Sequence, residues 1–293
     1  MQILLFGKNG QLGWELCQTL APLGEVIAYD FPEVDLSEEE SLIGIVRRLR
    51  PEVIVNAAAY TAVDRAESEV ERAFAVNARA PGLMAQEAQA LGAALIHYST
   101  DYVFDGHKGS PYIESDLPNP LGAYGRSKLE GERAVEQACN AYLTLRTSWV
   151  YSLRGESFVA KVLQWSRQQP TLRVVDDQIG SPTWAHTLAE ATARLLAMGG
   201  KDISGWLRER AGIYHLAGDG FASRLEWAQA ILRYDPSREE QVTHQILPAR
   251  TADFPTPAQR PLFSALDCNK FGDTFGFRLP AWEEALRLAM EAG

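Results

Sequence analysis

Cysteine is scarce in this chain: Cys17, Cys139 and Cys268 are the only three among 293 residues. They are widely separated, odd in number and without metal-ligand spacing. That argues against a disulfide framework or a thiolate metal site and predicts reduced thiols in a cytoplasmic protein. Long apolar runs are missing as well, none approaching the roughly 20 residues that span a bilayer. Met1 leads straight into an apolar segment without a basic n-region or cleavage site, so no leader is expected. Positive charge is in deficit. A net charge of -10 disfavours a nucleic-acid backbone or an anionic membrane as partner, yet leaves room for a small anionic ligand, which responds to local charge. Internal repeats, low-complexity tracts and a clear linker are also lacking. The 46% hydrophobic and 23% charged content is that of an ordinary globular protein with one large domain or two moderate ones.

What is present begins with Gln2-Ile-Leu-Leu-Phe6, an apolar run that reads as a strand buried on both faces. Gly7-Lys8-Asn9-Gly10-Gln11-Leu12-Gly13 and an amphipathic segment from Trp14 to Leu20 follow. Strand, glycine-rich turn and helix make the phosphate-binding start of a dinucleotide fold, because glycines permit positive φ angles and let backbone N–H groups approach a pyrophosphate. The spacing is G-x-x-G-x-x-G, not the usual G-x-G-x-x-G. Val26 to Asp30 is a second strand ending in an acid, placed either to accept from an adenosine ribose hydroxyl or to cap the next loop. Lys8 offers an alternative attraction for a 2′-phosphate. Ser37 with Glu40 predicts a capping box for a helix that runs to Arg50.

Val53 to Ala59 is a third strand with small residues at its end, where a cofactor can lie against the sheet edge. Residues 61–92 read as one helix with Asn77 inside it. Ala94 to Asp101 is a fourth strand running into the hydroxyls of Ser99 and Thr100, at the rim where open parallel sheets bind ligands. His97, within it, reads as a packed histidine. After a loop over 105–120, Tyr124 and Lys128 stand four apart on a predicted helix and share one face. A lysine beside a phenol lowers the phenol's pKa from about 10 and makes it a usable acid or base. The same spacing also occurs on plain solvated faces, so the pair draws its meaning from what lies upstream. Tyr142 to Thr147 is the fifth strand. The fold class predicted is α/β, a Rossmann-type doubly wound parallel sheet with a smaller mixed α/β part. The boundaries are 1–147 for the dinucleotide domain, rejoined by parts of 171–220, and 148–293 mainly for the substrate.

This order of glycine loop, strand-end acid, small residues, Thr100, Tyr124 and Lys128 resembles the short-chain dehydrogenase/reductase superfamily, and its length the extended branch that acts on nucleotide sugars. Asn56 to Asp64, Tyr98 to Phe104, Arg146 to Tyr151, Asp177 to Thr183 and Arg260 to Ser264 are similar, along the whole chain, to the dTDP-4-dehydrorhamnose reductase family. The resemblance implies NADH- or NADPH-dependent reduction of a 4-keto-6-deoxy sugar carried on dTDP. It gives Tyr124 the proton-donor role, Lys128 the nicotinamide ribose, and Thr100 a hydrogen bond to the carbonyl oxygen. Gly7, Gly10, Gln11, Leu12 and Gly13 would cradle the pyrophosphate, with Asp30, Asp35 and Leu36 near the adenosine. Ala59, Tyr60, Thr61 and Tyr98 would line the cofactor; Thr100, Asp101 and Trp149 would touch the sugar. Arg260 is a candidate for the substrate diphosphate, or else an ordinary surface arginine.

Related 4,6-dehydratases follow their threonine with Asp-Glu. Here Thr100-Asp101 is followed by Tyr102, which favours plain keto reduction. The resemblance also implies a homodimer and Mg²⁺. Glu15 is a candidate participant, but no ligand cluster is defined and no metal residue is assigned. Two other readings stay open: a reductase of another dTDP-4-keto-6-deoxy sugar, and a non-catalytic regulatory subunit of the methionine adenosyltransferase type.

Overall fold

A computed structural model of the chain describes residues 1–292. Five strands follow one another in its first half: β1 (Gln2–Phe6), β2 (Glu25–Tyr29), β3 (Val53–Asn56), β4 (Ala94–Thr100) and β5 (Tyr142–Thr147). A sixth, Gly212–His215, returns from the second half and pairs in parallel with β5. The spatial order is β2-β1-β3-β4-β5 and then Gly212–His215, and every pairing is parallel. The order reverses between β1 and β3, which opens a crevice at their carboxyl ends.

β3, β4 and β5 are buried at every residue because helices cover both faces of the sheet, as parallel sheets require. On one face α1 (Gln11–Leu20) and the helix Ala185–Gly199 set Leu16, Leu20, Leu188 and Leu195 against Ile3, Val55 and Ile96. On the other, α2 (Glu39–Leu49) brings Leu42 and Val46 to Leu4, Ile54 and Leu95. A separate cluster around Trp227, Tyr151, Ile231 and Leu286 forms the core of the second half. There Thr171–Val175 and Gln245–Ala249 pair in parallel. Among the described residues no helix is long and apolar enough to cross a membrane.

Two local expectations fail. The helix α2 starts at Glu39 without a side-chain cap; the Ser37 hydroxyl instead donates to Asp35 Oδ1 at 2.7 Å. The stretch 61–92 is broken into α3 (Val63–Ala66), α4 (Val70–Phe74), a π-helical turn Ala75–Arg79 and α5 (Ala80–Leu91). The wider π turn carries Asn77, which accepts from the Tyr60 N–H at 2.8 Å and donates to the Tyr60 carbonyl and to Ser127 Oγ. These tertiary bonds, absent from any local pattern, explain an interruption of the kind that gathers at functional sites.

The helix α6 (Ala123–Ala138) packs across β4 and β5, with Lys128 and Glu132 beside Tyr98 and Ser99 near the carboxyl end of β4 and Val135 clustered with Leu95 and Tyr142 near the strand starts. Tyr124, Lys128 and Glu132 are spaced by fours and form one stripe. Glu132 is seated by Arg146 of β5, whose Nε and Nη2 donate to its two carboxylate oxygens at 2.9 and 2.6 Å. Both side chains are at most 2% exposed. Truncating one member strands the other's charge in the interior, so Glu132→Ala should lower unfolding free energy by about 3–5 kcal/mol in urea titration. Glu132→Leu/Arg146→Met should be destabilised by clearly less than the sum of its single changes.

Candidate active site

Along the carboxyl ends of the sheet runs one cavity of about 980 Å³, from Phe31 at one end to Trp149 and Arg224 at the other. The end at the glycine loop is built by sterics. Gly7 has φ +93°, and a Cβ there would lie 2.6 Å from the Ala58 backbone nitrogen. A Cβ on Gly13 would sit 1.8 Å from the Gly7 carbonyl oxygen, so Gly13 lets α1 close on the loop without itself lining the cavity. α1 has no side-chain N-cap, and Gly10, Gln11 and Leu12 line the cavity at its start. An uncapped helix N-terminus facing a cavity suits an anionic pyrophosphate. Gln11 Oε1 accepts from the Ser152 N–H at 2.6 Å and so joins the loop to the second half.

At the end where the adenosine is expected, Asp30, Asp35 and Leu36 all line the wall. Asp30 accepts from the Asn9 and Phe31 N–H groups, each at 2.8 Å, so it caps the glycine loop while facing the cavity. Hydrogen bonds from Ser37 hold the Asp35 carboxyl below its usual range. Lys8 turns off the cavity to Glu33 at 2.6 Å; the cation on this wall is Arg72. Ala59, Tyr60 and Thr61 line the crevice beyond β3, with the Tyr60 backbone clamped on both sides by Asn77.

Thr100, Tyr124 and Lys128 converge on the middle of the same cavity. Burial pushes the Tyr124 phenol above its ordinary pKa, with the neighbouring Thr100 hydroxyl pulling the other way. Burial lowers Lys128 to about 8, opposed by Glu132. The ammonium is not turned to the phenol. It donates to the Tyr98 carbonyl at 2.6 Å, the nearest strong acceptor for a buried cation, so the expected lowering of the phenol's pKa is absent from this geometry. Tyr98 enters the site by that carbonyl, its own hydroxyl being paired with Thr192.

Asp101 is 2% exposed, and burial raises its pKa. Its Oδ2 accepts from Ser148 and Ser264 hydroxyls, while Thr100 Oγ1 stands 3.2 Å from Oδ1. Tyr102 packs edge-on against Tyr124 with ring centroids 5.7 Å apart.

The far end is walled by Trp149, a non-glycine residue at φ +45°. That conformation costs roughly 1–2 kcal/mol and is sustained by packing: Trp227 lies parallel at 5.5 Å, and Gly180 leaves space that a Cβ would fill at 2.4 Å from the indole. Arg260, the expected diphosphate ligand, does not line the cavity. Its guanidinium grips Asp64 at 3.0 and 2.8 Å. Among the cavity residues missed from sequence, which include Arg72 and Arg154, the most buried cation is Arg224. It lines the cavity, lies 3.6 Å above the Trp149 ring, and has no carboxylate or carbonyl partner for its guanidinium among the described residues. Burial pulls it down to about 10. Its one signal in the sequence is its place directly after the N-cap Ser223, where a cation opposes the helix dipole. For the Mg²⁺ implied by resemblance, no group of three or more ligating side chains exists among the described residues. Glu15 meets His186 Nδ1 at 2.9 Å, and no step is assigned to a metal.

Comparison with known proteins agrees with this architecture. The family model described as RmlD substrate binding domain matches residues 1–293. A dTDP-4-dehydrorhamnose reductase of Burkholderia thailandensis is 42% identical, over 99% of this chain and 98% of that protein. Among solved structures, a dTDP-4-dehydrorhamnose reductase from Clostridium acetobutylicum superposes with a TM-score of 0.91 at 33% identity, covering 100% of this chain and 99% of that one. One from Bacillus anthracis, in complex with NADP, gives 0.90 at 32% with the same coverage. With matching reductases along its full length and a match to every residue of the family model, the chain belongs to the RmlD substrate binding domain family.

Proposed function

We propose that this protein reduces the C4 ketone of dTDP-4-dehydro-β-L-rhamnose with NADH or NADPH to give dTDP-L-rhamnose. The observation that carries this reading is the convergence of Thr100, Tyr124 and Lys128 on one cavity that also holds a glycine-loop helix start and an unpaired arginine. The residues fit a dinucleotide: an uncapped helix N-terminus for the pyrophosphate and a strand-end acid for the ribose. Bound there, the reduced nicotinamide supplies hydride to the carbonyl carbon.

The chain's own residues do the rest. Thr100 donates to the carbonyl oxygen, where negative charge develops. Tyr124 gives its proton to that oxygen, so ketone, hydride and proton balance to a secondary alcohol. A phenol held protonated by burial is a competent donor, and Lys128 steadies the phenolate that is left once its ammonium turns from the Tyr98 carbonyl. Asp101 and Trp149 shape the sugar pocket, and Tyr102, an aromatic where a dehydratase has an acid, leaves no base for proton abstraction at C5. Arg224 takes the diphosphate role expected of Arg260, since a guanidinium with no internal partner is free to bind phosphate in bidentate fashion. Residues 1–147 with the returning strand Gly212–His215 form the cofactor part, and residues 148–293 mainly the substrate part. The chain works as a cytoplasmic homodimer, as its resemblance implies.

The direct test follows loss of reduced-cofactor absorbance with the authentic keto sugar; folded protein that oxidises neither NADH nor NADPH refutes the reading. Tyr124→Phe should lower kcat by about 10²–10⁴ while cofactor affinity, read by fluorescence titration, stays within about twofold. Removing a charged hydrogen-bond donor is worth about 1.5–3 kcal/mol. Arg224→Ala should accordingly raise KM for the dTDP-sugar by roughly 10- to 100-fold and leave cofactor affinity unchanged, whereas Arg260→Ala should act mainly on stability.

A further inference from the structure

Beneath Lys128 lies a buried pair to which the reduction assigns no role. Asn56 on β3 and His97 on β4 are register partners, and both are 0% exposed. Asn56 Nδ2 is 3.1 Å from His97 Nδ1; Lys128 Nζ is 3.4 Å from His97 Nε2. The amide is oriented from its other end, where the Ala58 N–H donates to Asn56 Oδ1 at 3.2 Å. Its NH₂ group therefore faces the ring. That group has protons and no acceptor, so Nδ1 must accept and the proton of a neutral imidazole must sit on Nε2. Burial, with the charge of Lys128 adding to it, keeps His97 well below its ordinary pKa, which makes the ring neutral. The Nε2–H consequently points at Lys128. A facing N–H repels an ammonium, whereas an amine can accept from it.

We propose that Asn56, by locking the tautomer of His97, tunes how readily Lys128 holds its proton and drives the ammonium off the imidazole toward the Tyr98 carbonyl and the cavity. His97 is thus a positioning residue that acts through Lys128. The other titratable groups around this lysine are Tyr124 and Glu132 on α6, Tyr98 on β4, Asp101 just beyond it, and Arg146 on β5. Only Glu132 favours the charge, and its oxygens are occupied by Arg146 and Ser99. The functional consequence rests on the reductase reading; the tautomer does not.

Two measurements test it, the first without turnover. In a long-range ¹⁵N–¹H spectrum of histidine-labelled protein, with His97 assigned by its loss in His97→Phe or by contacts to Lys128, Nε2 should carry the proton and Nδ1 none. A protonated Nδ1 overturns the proposal. The second uses Asn56→Asp, which keeps the shape and the acceptor for Ala58 but replaces the NH₂ by an oxygen. That reverses the tautomer and turns the Nε2 lone pair to Lys128. The alkaline limb of kcat/KM, and the ¹⁵Nζ titration of Lys128 that needs no activity, should move up by about 1 pH unit. In Asn56→Asp/His97→Phe the move should shrink to less than about a third of that. An unmoved titration in folded Asn56→Asp, or an equal move in both variants, defeats the idea. If the double variant does not fold, the tautomer spectrum decides.

Discussion

The buried ion pair between Glu132 and Arg146 fixes where Tyr124 and Lys128 sit. Pairs of this kind add little net stability over well-packed apolar residues, because desolvating two charges offsets most of their attraction. Their value is in register. Each residue along a helix turns the side-chain direction by about 100°, so a slip of α6 by one position would carry Tyr124 and Lys128 out of the cavity. Glu132, on the same stripe, has its two oxygens met by the Arg146 fork and the Ser99 hydroxyl, and no rotated helix would satisfy those donors. The rim of β4 supplies Thr100 from the fixed side, so the three side chains proposed to react are brought to one cavity by one helix and one strand end.

A second constraint joins the two halves of the chain. Asp101, at the end of β4, accepts from Ser148 just beyond β5 and from Ser264 near the end of the chain. The Ser181 N–H reaches the same Ser148 hydroxyl at 3.3 Å. Gln11 receives Ser152 beside the glycine loop. The wall formed by Trp149 and Arg224 is therefore tied to the strand that carries Thr100, and the strained backbone of Trp149 is stabilised by Trp227 and the room left by Gly180. A buried carboxylate held by hydroxyls alone is sensitive to any loss among them, which couples packing around Trp149 to the end of β4 that carries Thr100.

Much of this was legible in the sequence, for local reasons. Strands buried on both faces read as apolar runs, the glycine loop reads as a turn, and Thr100, Tyr124 and Lys128 follow in the order the fold needs. What was not legible depended on partners far along the chain. Arg260 finds Asp64 across 196 positions, and no spacing announces that pairing. The break in 61–92 is decided by Asn77 reaching Tyr60 and Ser127. Ser37 has the form of a helix cap, yet a nearer acceptor, Asp35, takes its hydroxyl. The Tyr–Lys spacing does put both side chains on one helix face, but spacing alone does not give the sign of the phenol's shift, because burial acts on Tyr124 while the lysine's charge is directed to a carbonyl.

The distribution of unpaired charge along the cavity reconciles an acidic chain with an anionic ligand. The net charge is -10, yet three of the acids on the wall are already satisfied by protein donors: Asp30 by two backbone amides, Asp35 by Ser37, and Asp101 by serines. The fourth, Glu156, sits at the rim opposite Lys161. The guanidinium groups on the wall are in the reverse state. Arg72, Arg154 and Arg224 have no carboxylate partner among the described residues, and Arg154 and Arg224 lie over the Trp14 and Trp149 rings instead. A carboxylate that accepts strong hydrogen bonds presents little field to a ligand, whereas an unpaired guanidinium keeps its charge for one, least screened at Arg224, which is more buried than the exposed Arg72 and Arg154. Net charge thus governs how the molecule behaves in solution, and the pairing pattern of the wall governs what it binds. On that pattern the cavity suits a ligand with phosphate at both ends of a central reacting carbon, which is the form taken by a dinucleotide and a nucleotide sugar lying head to head.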